Sequence, residues 1–414
     1  MSATAAITRE EAFARLAAIA GSENAQLSAE IIRVSPADAQ QISAILRFAN
    51  ECGLSVVPTT GGTKLAWGNP VAPEIDLSLA RLNLVTEHAW QDLTCTVQAG
   101  CIWDEMQTRL ALHGQMVALD PLWPHRATVG GVVAANESGA LRLRYGGLRD
   151  LVIGMTIVLS DGTIAKTGGK VVKNVAGYDL HKLLTGSFGT LGIITEVNFR
   201  LHPVEQHGRT FTAIAPDPAQ LAQPLANLLR AQISPSAVQL RIDGSQCALD
   251  TRLCARPECL SDHAAQLQQI FGSLPMSEAN ESVWLARENL FAHPAASIVK
   301  ASMLPAEIGS IAADCRQNAA ALGLEISLVA QATGLATIAL SGPPQVILSA
   351  VNRLRTRLFS SGGGSAVILQ PPADLRGKLD PWDCHSDALP LMREIKRRFD
   401  PNRILSPGRF VGGI

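Results

Sequence analysis

Apolar positions switch between helical and strand spacing along the first two hundred residues, and each switch predicts an element. Ile42, Ile45, Leu46 and Ala49 recur at helical spacing behind Ser35-Pro36, so a capped amphipathic helix is expected, stopped at Cys52-Gly53. Leu54 to Pro58 then reads as a short strand that runs into the loop TTGGTKLAWG. Further strands are expected at Leu93 to Gln98 and at Thr156 to Leu159, with Asp161-Gly162 as the two-residue turn of a hairpin. In Ile193 to Leu201, the residues Ile193, Val197, Phe199 and Leu201 share one face while Glu196, Asn198 and Arg200 take the other. That pattern suits a half-buried strand, closed by His202-Pro203.

From about Thr210 to Leu369 glycines thin out, and alanine-rich helical patterns alternate with short strands, for example around Ile338 to Leu340 and Val367 to Leu369. A second α+β domain follows from this. The SSGGGS stretch at 360–365 reads as a flexible hairpin turn rather than a phosphate loop. Leu391, Met392, Ile395 and Phe399 form a helical stripe ended by Asp400-Pro401, and RILSPGRF follows.

Three glycine-bearing stretches carry the candidate chemistry. In Thr59-Thr60-Gly61-Gly62-Thr63-Lys64 the glycines let backbone N–H groups turn toward a pyrophosphate, the threonine hydroxyls can add hydrogen bonds, and Lys64 could offset charge. The stretch has neither Walker nor Rossmann spacing. The second stretch runs from Pro121 through Thr128 to Gly139, including Gly130, Gly131, Asn136 and Ser138, and ends on Tyr145-Gly146; small residues at this density let backbone lie flush against a planar or extended ligand. The third runs from Lys173-Asn174-Val175-Ala176-Gly177-Tyr178-Asp179-Leu180 into Gly186, Gly189, Gly192 and Ile194, just ahead of the alternating strand. Together they imply one extended cofactor.

Composition narrows the class. With 47% hydrophobic and 17% charged residues and a net charge of −1, a 414-residue chain can bury large cores and has no basic excess to attract nucleic acid or a membrane surface. Charges interrupt the apolar N-terminus, and no run is long enough to insert directly in a membrane, so a cytoplasmic location is expected. The cysteines at 52, 95, 101, 247, 254, 259, 315 and 384 lack metal or iron–sulfur spacing and are expected to be free, buried thiols, with no metal site.

The order TTGGT, TVGGxxAxN with its SG, YG before the DG hairpin, and KNVAGYDL followed by GSxGxLGxxTE resembles the FAD domain of the vanillyl-alcohol-oxidase (PCMH-type) family over roughly residues 30–203. FDPNRILSPGRF is similar to that family's closing segment, and KNVAGYDL…GSFGTLGIITE is similar in particular to its glycolate oxidase branch. The resemblance implies an α+β fold: a two-subdomain FAD-binding domain at 1–203, a cap-like α+β domain at 204–370, and a C-terminal segment at 371–414 whose helix returns to the FAD domain. It also implies that Thr60, Gly61, Gly62 and Thr63 hold the FAD pyrophosphate. Gly130, Gly131, Asn136, Ser138 and Gly139 would line the ribityl and flavin stretch, and Gly189, Gly192 and Ile194 the adenine side, with Lys64, Pro121, Thr128 and Tyr145 as further cofactor-binding candidates.

Departures from the family pattern shape the functional expectation. The H-x-G-D-G-N-x-H segment of related 2-hydroxy-acid dehydrogenases is missing, Phe188 stands where the full enzymes commonly have glutamate, and no histidine in the first loop could link FAD covalently. His113, His125, His181, His202, His293 and His385 are isolated in sequence, so no catalytic base is assigned. The resemblance implies a non-covalent FAD subunit of a glycolate-oxidising complex, working beside a homologous catalytic flavoprotein and an iron–sulfur subunit that could hold it at the inner face of a membrane. Two other readings stay open: a stand-alone FAD-dependent D-2-hydroxy-acid dehydrogenase, and a structural subunit with a degenerate flavin site.

Overall fold

The computed structural model describes residues 7–170, 177–293, 296–384 and 387–414, and the fold is α+β. The chain divides into two compact units, one made of Met1–Glu137, Gly147–Val204 and Cys384–Ile414, the other of Ser138–Gly146 and Glu205–Asp383. The short excursion at 138–146 has no counterpart in the boundaries expected from sequence, and residues 371–383 stay with the second unit.

In the first unit the expected amphipathic helix spans Ala39–Cys52, and Ile42, Ile45, Leu46 and Ala49 are all fully buried. It begins later than Ser35-Pro36 because Asp38 is the better cap, its carboxylate accepting the Gln41 amide at 2.8 Å. It ends at Gly53, whose φ of 69° is the left-handed stop that glycine adopts without strain. The next strand, Val56–Thr59, lies parallel to Ile75–Ser78, which is parallel to Ile32–Val34; Ala25–Leu27 closes that sheet antiparallel.

A second, antiparallel sheet orders Val85–Ala89, Thr94–Gln98, Ile193–Arg200, Val152–Val158 and Ile164–Gly168. Its last two strands are the expected hairpin, with Val158 opposite Ile164 and Gly162 at φ 84° in the turn. In the central strand Val197 pairs with Val97 on one side and Met155 on the other, inside the core, while Glu196, Asn198 and Arg200 are half-buried. A bulge between Ile194 and Glu196 turns Thr195 inward, where its hydroxyl donates to the Thr156 carbonyl at 3.1 Å.

The C-terminal helix, Leu389–Phe399, departs from its apolar stripe. Leu391 is exposed, Ile395 and Phe399 are only partly covered, and the buried residue of the helix is Lys396. Its ammonium is held by the carbonyls of Thr190 and Leu405, each at 2.8 Å, and by Asp400. Beyond Asp400 the chain runs beside the Val56 strand: the Val56 amide donates to Ile404 at 2.7 Å and the Ser406 amide to Val56 at 2.9 Å.

The second unit is built on one antiparallel sheet ordered Met276–Ala279, Gly208–Ala215, Gln246–Cys254, Ala237–Asp243, Glu325–Gln331, Leu335–Ser341, Ser297–Ser302 and Ser365–Gln370. Leu240, Ile242, Leu328 and Ile338 share an apolar cluster with Leu221, Leu267, Ile311 and Val351 of the helices. Residues out of register with those are polar: buried Asp250 accepts from Thr212 at 2.7 Å, Gln239 at 2.9 Å and Arg241 at 2.5 Å. The 360–365 stretch is a helix-to-strand turn rather than the expected hairpin. Amides of Gly363 and Gly364 cap the carbonyls of Phe359 and Leu358 at 3.2 and 3.1 Å, terminating helix Pro344–Ser360.

All eight cysteines are free; Cys95, Cys101 and Cys247 are buried as expected, while Cys52, Cys254, Cys259, Cys315 and Cys384 are only half-buried, and burial pushes the Cys95 thiol up to about 12. Among the described residues no helix is long and apolar enough to cross a membrane.

Candidate functional site

The first unit brings its three glycine-bearing loops together. Strand Val56–Thr59 delivers Thr60, whose hydroxyl lies 2.5 Å from that of Thr128, at the start of helix Val129–Ala134. Amides of Gly186 and Phe188 donate to the carbonyls of Val133 and Ala134 at 3.0 and 2.9 Å, which docks the third loop on the end of that helix. Gly189, at φ 74°, passes so near the first strand that a Cβ would stand 2.8 Å from Pro58 Cγ. Between the loops runs an open groove.

Thr60, Gly62, Thr63 and Lys64 line it from the first loop, Thr128, Gly130 and Gly131 from the second, and Gly189, Gly192 and Ile194 from the third. The remaining residues singled out from sequence are not among its lining residues. Gly61 is needed for packing rather than as lining, since a Cβ there would meet the Arg126 carbonyl oxygen at 2.0 Å. Pro121 is buried away from the groove wall, and Asn136, at φ 46°, packs its side chain against Gly186. Ser138, Gly139 and Tyr145 belong to the second unit. There the Ser138 carbonyl accepts from Arg287, and the Tyr145 hydroxyl donates to Glu205 at 2.7 Å; burial, then Glu205, push that phenol's pKa up. The stretch Lys173 to Ala176 and His385 lie outside the described residues.

Lys64, expected to offset a phosphate's charge, lines the groove beside a carboxylate. Lys64 is 6% exposed, its ammonium 3.5 Å from the equally buried Glu137 carboxylate and 5.6 Å from the ring centroids of both Trp67 and Trp123. A second cation, not anticipated from sequence, comes from the far end of the chain. Arg409 lines the groove, donates to the Lys64 carbonyl at 3.0 Å and lies over the Phe188 ring at 5.7 Å. Burial lowers its pKa to about 10, which leaves it a cation at neutral pH. The signal for it was the likeness of RILSPGRF to a closing segment, but nothing in the spacing of that tail shows that it returns to a loop 345 residues earlier.

The histidines stay scattered. His113 stacks on Trp90 at 5.2 Å, and exposed His125 bonds Asp104 at 2.9 Å. His181 is buried and His202 partly so, and burial pulls both pKa values down, Arg200 adding to the effect at His202. His293 lines an open pocket of the second unit, together with Arg241.

The groove suits an extended, anionic, partly planar ligand. Its wall is glycine and alanine backbone that bulky side chains would fill, its polar groups are amides and hydroxyls, and a cation is built into it. An FAD dinucleotide meets each of these demands.

Residues 31–168 match the FAD binding domain family, and residues 383–410 match the C-terminal domain of FAD linked oxidases. The chain is 36% identical over 207 residues to glycolate oxidase subunit GlcD of Bacillus subtilis, a match covering 50% of this chain and 44% of that protein. It is 38% identical over 178 residues to the mitochondrial cytochrome D-lactate dehydrogenase of Arabidopsis thaliana, covering 42% and 30%. With the mitochondrial D-2-hydroxyglutarate dehydrogenase of Bos taurus it shares 36% over 173 residues, covering 42% and 32%. In each case the match spans less than half of the relative's length. Substrate-bound p-cresol methylhydroxylase has the same fold, with a TM-score of 0.76 over 97% of this chain and 96% of that one at 16% identity. The loops, the two matched segments and the fold together mark an FAD-binding domain at residues 31–168 and an FAD-linked oxidase C-terminal segment at 383–410, with FAD as the cofactor, on the fold shared with p-cresol methylhydroxylase.

Proposed function

We propose that this chain is the FAD-binding subunit of a glycolate oxidase (glycolate dehydrogenase) complex and takes part in the oxidation of glycolate to glyoxylate. The observation that carries the reading is the single groove formed by three glycine loops, on a chain whose relatives are named for glycolate, D-lactate and D-2-hydroxyglutarate. In it Thr60, Gly62 and Thr63 hold the pyrophosphate, Thr128, Gly130 and Gly131 line the ribityl and flavin stretch, and Gly189, Gly192 and Ile194 border the adenine side. Bound FAD supplies the two-electron chemistry. The loops hold and orient it, and apolar Leu65, Leu79 and Ile194 of the groove wall limit water.

Oxidising a 2-hydroxy acid also requires a base for the hydroxyl proton. With no described histidine among the residues lining the groove, that base is assigned to a homologous catalytic flavoprotein, and an iron–sulfur subunit carries the electrons onward. The test is to purify the chain and record its spectrum and glycolate turnover, alone and after mixing with the partner subunits. A yellow chain that is inactive alone and active in the mixture supports the reading; a chain that never joins a glycolate-oxidising assembly ends it.

A second reading, a stand-alone D-2-hydroxy-acid dehydrogenase, draws on the cavity of the second unit, where His293 and Arg241 share one wall. Turnover of glycolate, D-lactate or D-2-hydroxyglutarate by the yellow chain alone, abolished in His293→Ala, would favour it.

A further inference from the structure

A second inference rests on the FAD reading and deepens it: we propose that the Phe188 ring seats the adenine of the dinucleotide, so that this one side chain sets the preference for FAD over flavins that lack the adenylyl half.

The backbone at this position favours glycine. Gly186, Phe188 and Gly189 have φ of 88°, 54° and 74°, so the third loop is left-handed three times within four residues, and only at Phe188 does such a residue bear a side chain. A bulky residue is strained there, and strain of this kind persists where the surroundings over-determine it, as at ligand clamps. The surroundings do so here. The Phe188 amide donates to the Ala134 carbonyl at 2.9 Å and the Gly186 amide to Val133 at 3.0 Å, which docks both on the second loop. A Cβ on Gly189 would stand 2.8 Å from Pro58 Cγ, so the loop also lies close against the first strand.

The ring that this backbone carries goes to the groove. Phe188 is half-buried and lines the groove with Gly189, Gly192 and Ile194, whereas Val97, Val197 and Phe199 build the apolar core of the same unit. From the C-terminal tail the Phe410 ring packs on it, centroids 5.7 Å apart and tilted by 30°, and the Arg409 guanidinium lies 5.7 Å from its centre. An aromatic side chain fixed in this way offers a planar ligand a large contact at little entropic cost. The loop that carries it is the one read above as the adenine side, and a purine gains from an aromatic neighbour through its π-system.

The test titrates flavin-free wild type, Phe188→Leu, Phe188→Tyr and Phe188→Gly with FAD and with FMN, which lacks the adenylyl half, and follows fluorescence quenching. Phe188→Leu keeps apolar bulk without a ring and should bind FAD roughly five- to hundredfold more weakly, with FMN little changed, while Phe188→Tyr keeps the wild-type FAD affinity. Phe188→Gly should lose FAD selectively in the same way, and it answers alone if Phe188→Leu does not fold, because glycine takes the left-handed φ without strain. ADP carries the adenine without the flavin: it should compete with FAD on the wild type and far less on the ring-free variants. Equal loss of FAD and FMN marks a ring that serves only packing and overturns the proposal, as does loss of neither, or ADP competition that survives removal of the ring. A wild type that binds no FAD at all overturns the cofactor reading and this proposal with it, whereas a wild type that binds FAD beside ring-free variants that bind it equally well overturns the proposal alone.

Discussion

Lys396 and Asp400 form an ion pair at 2.6 Å with almost no solvent exposure on either side chain, at the point where the C-terminal helix stops. The pair ties the tail to the third glycine loop: Lys396 also donates to Thr190 and Leu405, and Asp400 accepts the amides of Ile404 and Leu405 at 3.1 and 2.8 Å. Burial lowers the pKa of Lys396, against the pull of Asp400. Removing one partner of such a pair strands a buried charge, so Lys396→Met should cost about 3–5 kcal/mol in urea unfolding. A loss of well under about 1 kcal/mol would mean that the pair is solvated in solution and does not anchor the tail.

Glycine substitutions separate cofactor contact from loop packing. A Cβ on Gly131 would stand 3.3 Å from Thr128 Oγ1 and 3.5 Å from Thr60 Oγ1, with backbone that any residue adopts. Gly131→Val should therefore still fold, with a somewhat lowered melting temperature because Thr128 Oγ1 must give way, and fail to retain FAD, read from its visible absorbance. Gly61→Ala should act mainly on stability, lowering the melting temperature, because its Cβ would overlap the Arg126 carbonyl oxygen. Gly62→Val is the poorer probe, since a φ of 71° strains a branched residue whatever the ligand. Full flavin content in folded Gly131→Val would remove that loop from the site.

Stability should depend on pH through His181 and His202. Burial depresses both folded pKa values below the ordinary 6.5, so the unfolded chain takes up protons first as the solution is acidified. The stability these neutral imidazoles contribute is complete above about pH 6.5 and is lost as pH falls through the folded values. The melting temperature of wild type should thus drop as pH falls below about 6.5, and less steeply in His181→Leu. An identical slope in the variant would show that His181 is already protonated or exposed.

Much of the fold was legible because its signals are local. The helix over Ile42 to Ala49 and the Asp161-Gly162 hairpin follow from spacing and turn chemistry within a few residues of the elements they set. The face pattern of Ile193 to Leu201 was also right, although the bulge at Thr195 was not visible in it. Failures came where distant chain decides. Lys396 reads as the polar face of a helix whose stripe is Leu391, Met392, Ile395 and Phe399, yet it is buried because carbonyls of Thr190 and Leu405 wait for it. Tyr145 and Ser138 follow the second loop directly in sequence but fold with the second unit, and Arg409 enters the groove from the opposite end of the chain. Residue type and order gave the glycine loops; their partners depended on tertiary contacts that no local pattern encodes.

The central claim, that loops around Thr60, Gly131 and Gly189 hold one FAD without a covalent link, is tested most directly by acid precipitation of the purified chain followed by identification of the released flavin. The account predicts a yellow protein that gives up stoichiometric FAD to the supernatant and leaves a colourless pellet. A colourless protein that takes up no FAD on incubation, or flavin that stays with the precipitated chain, would contradict it.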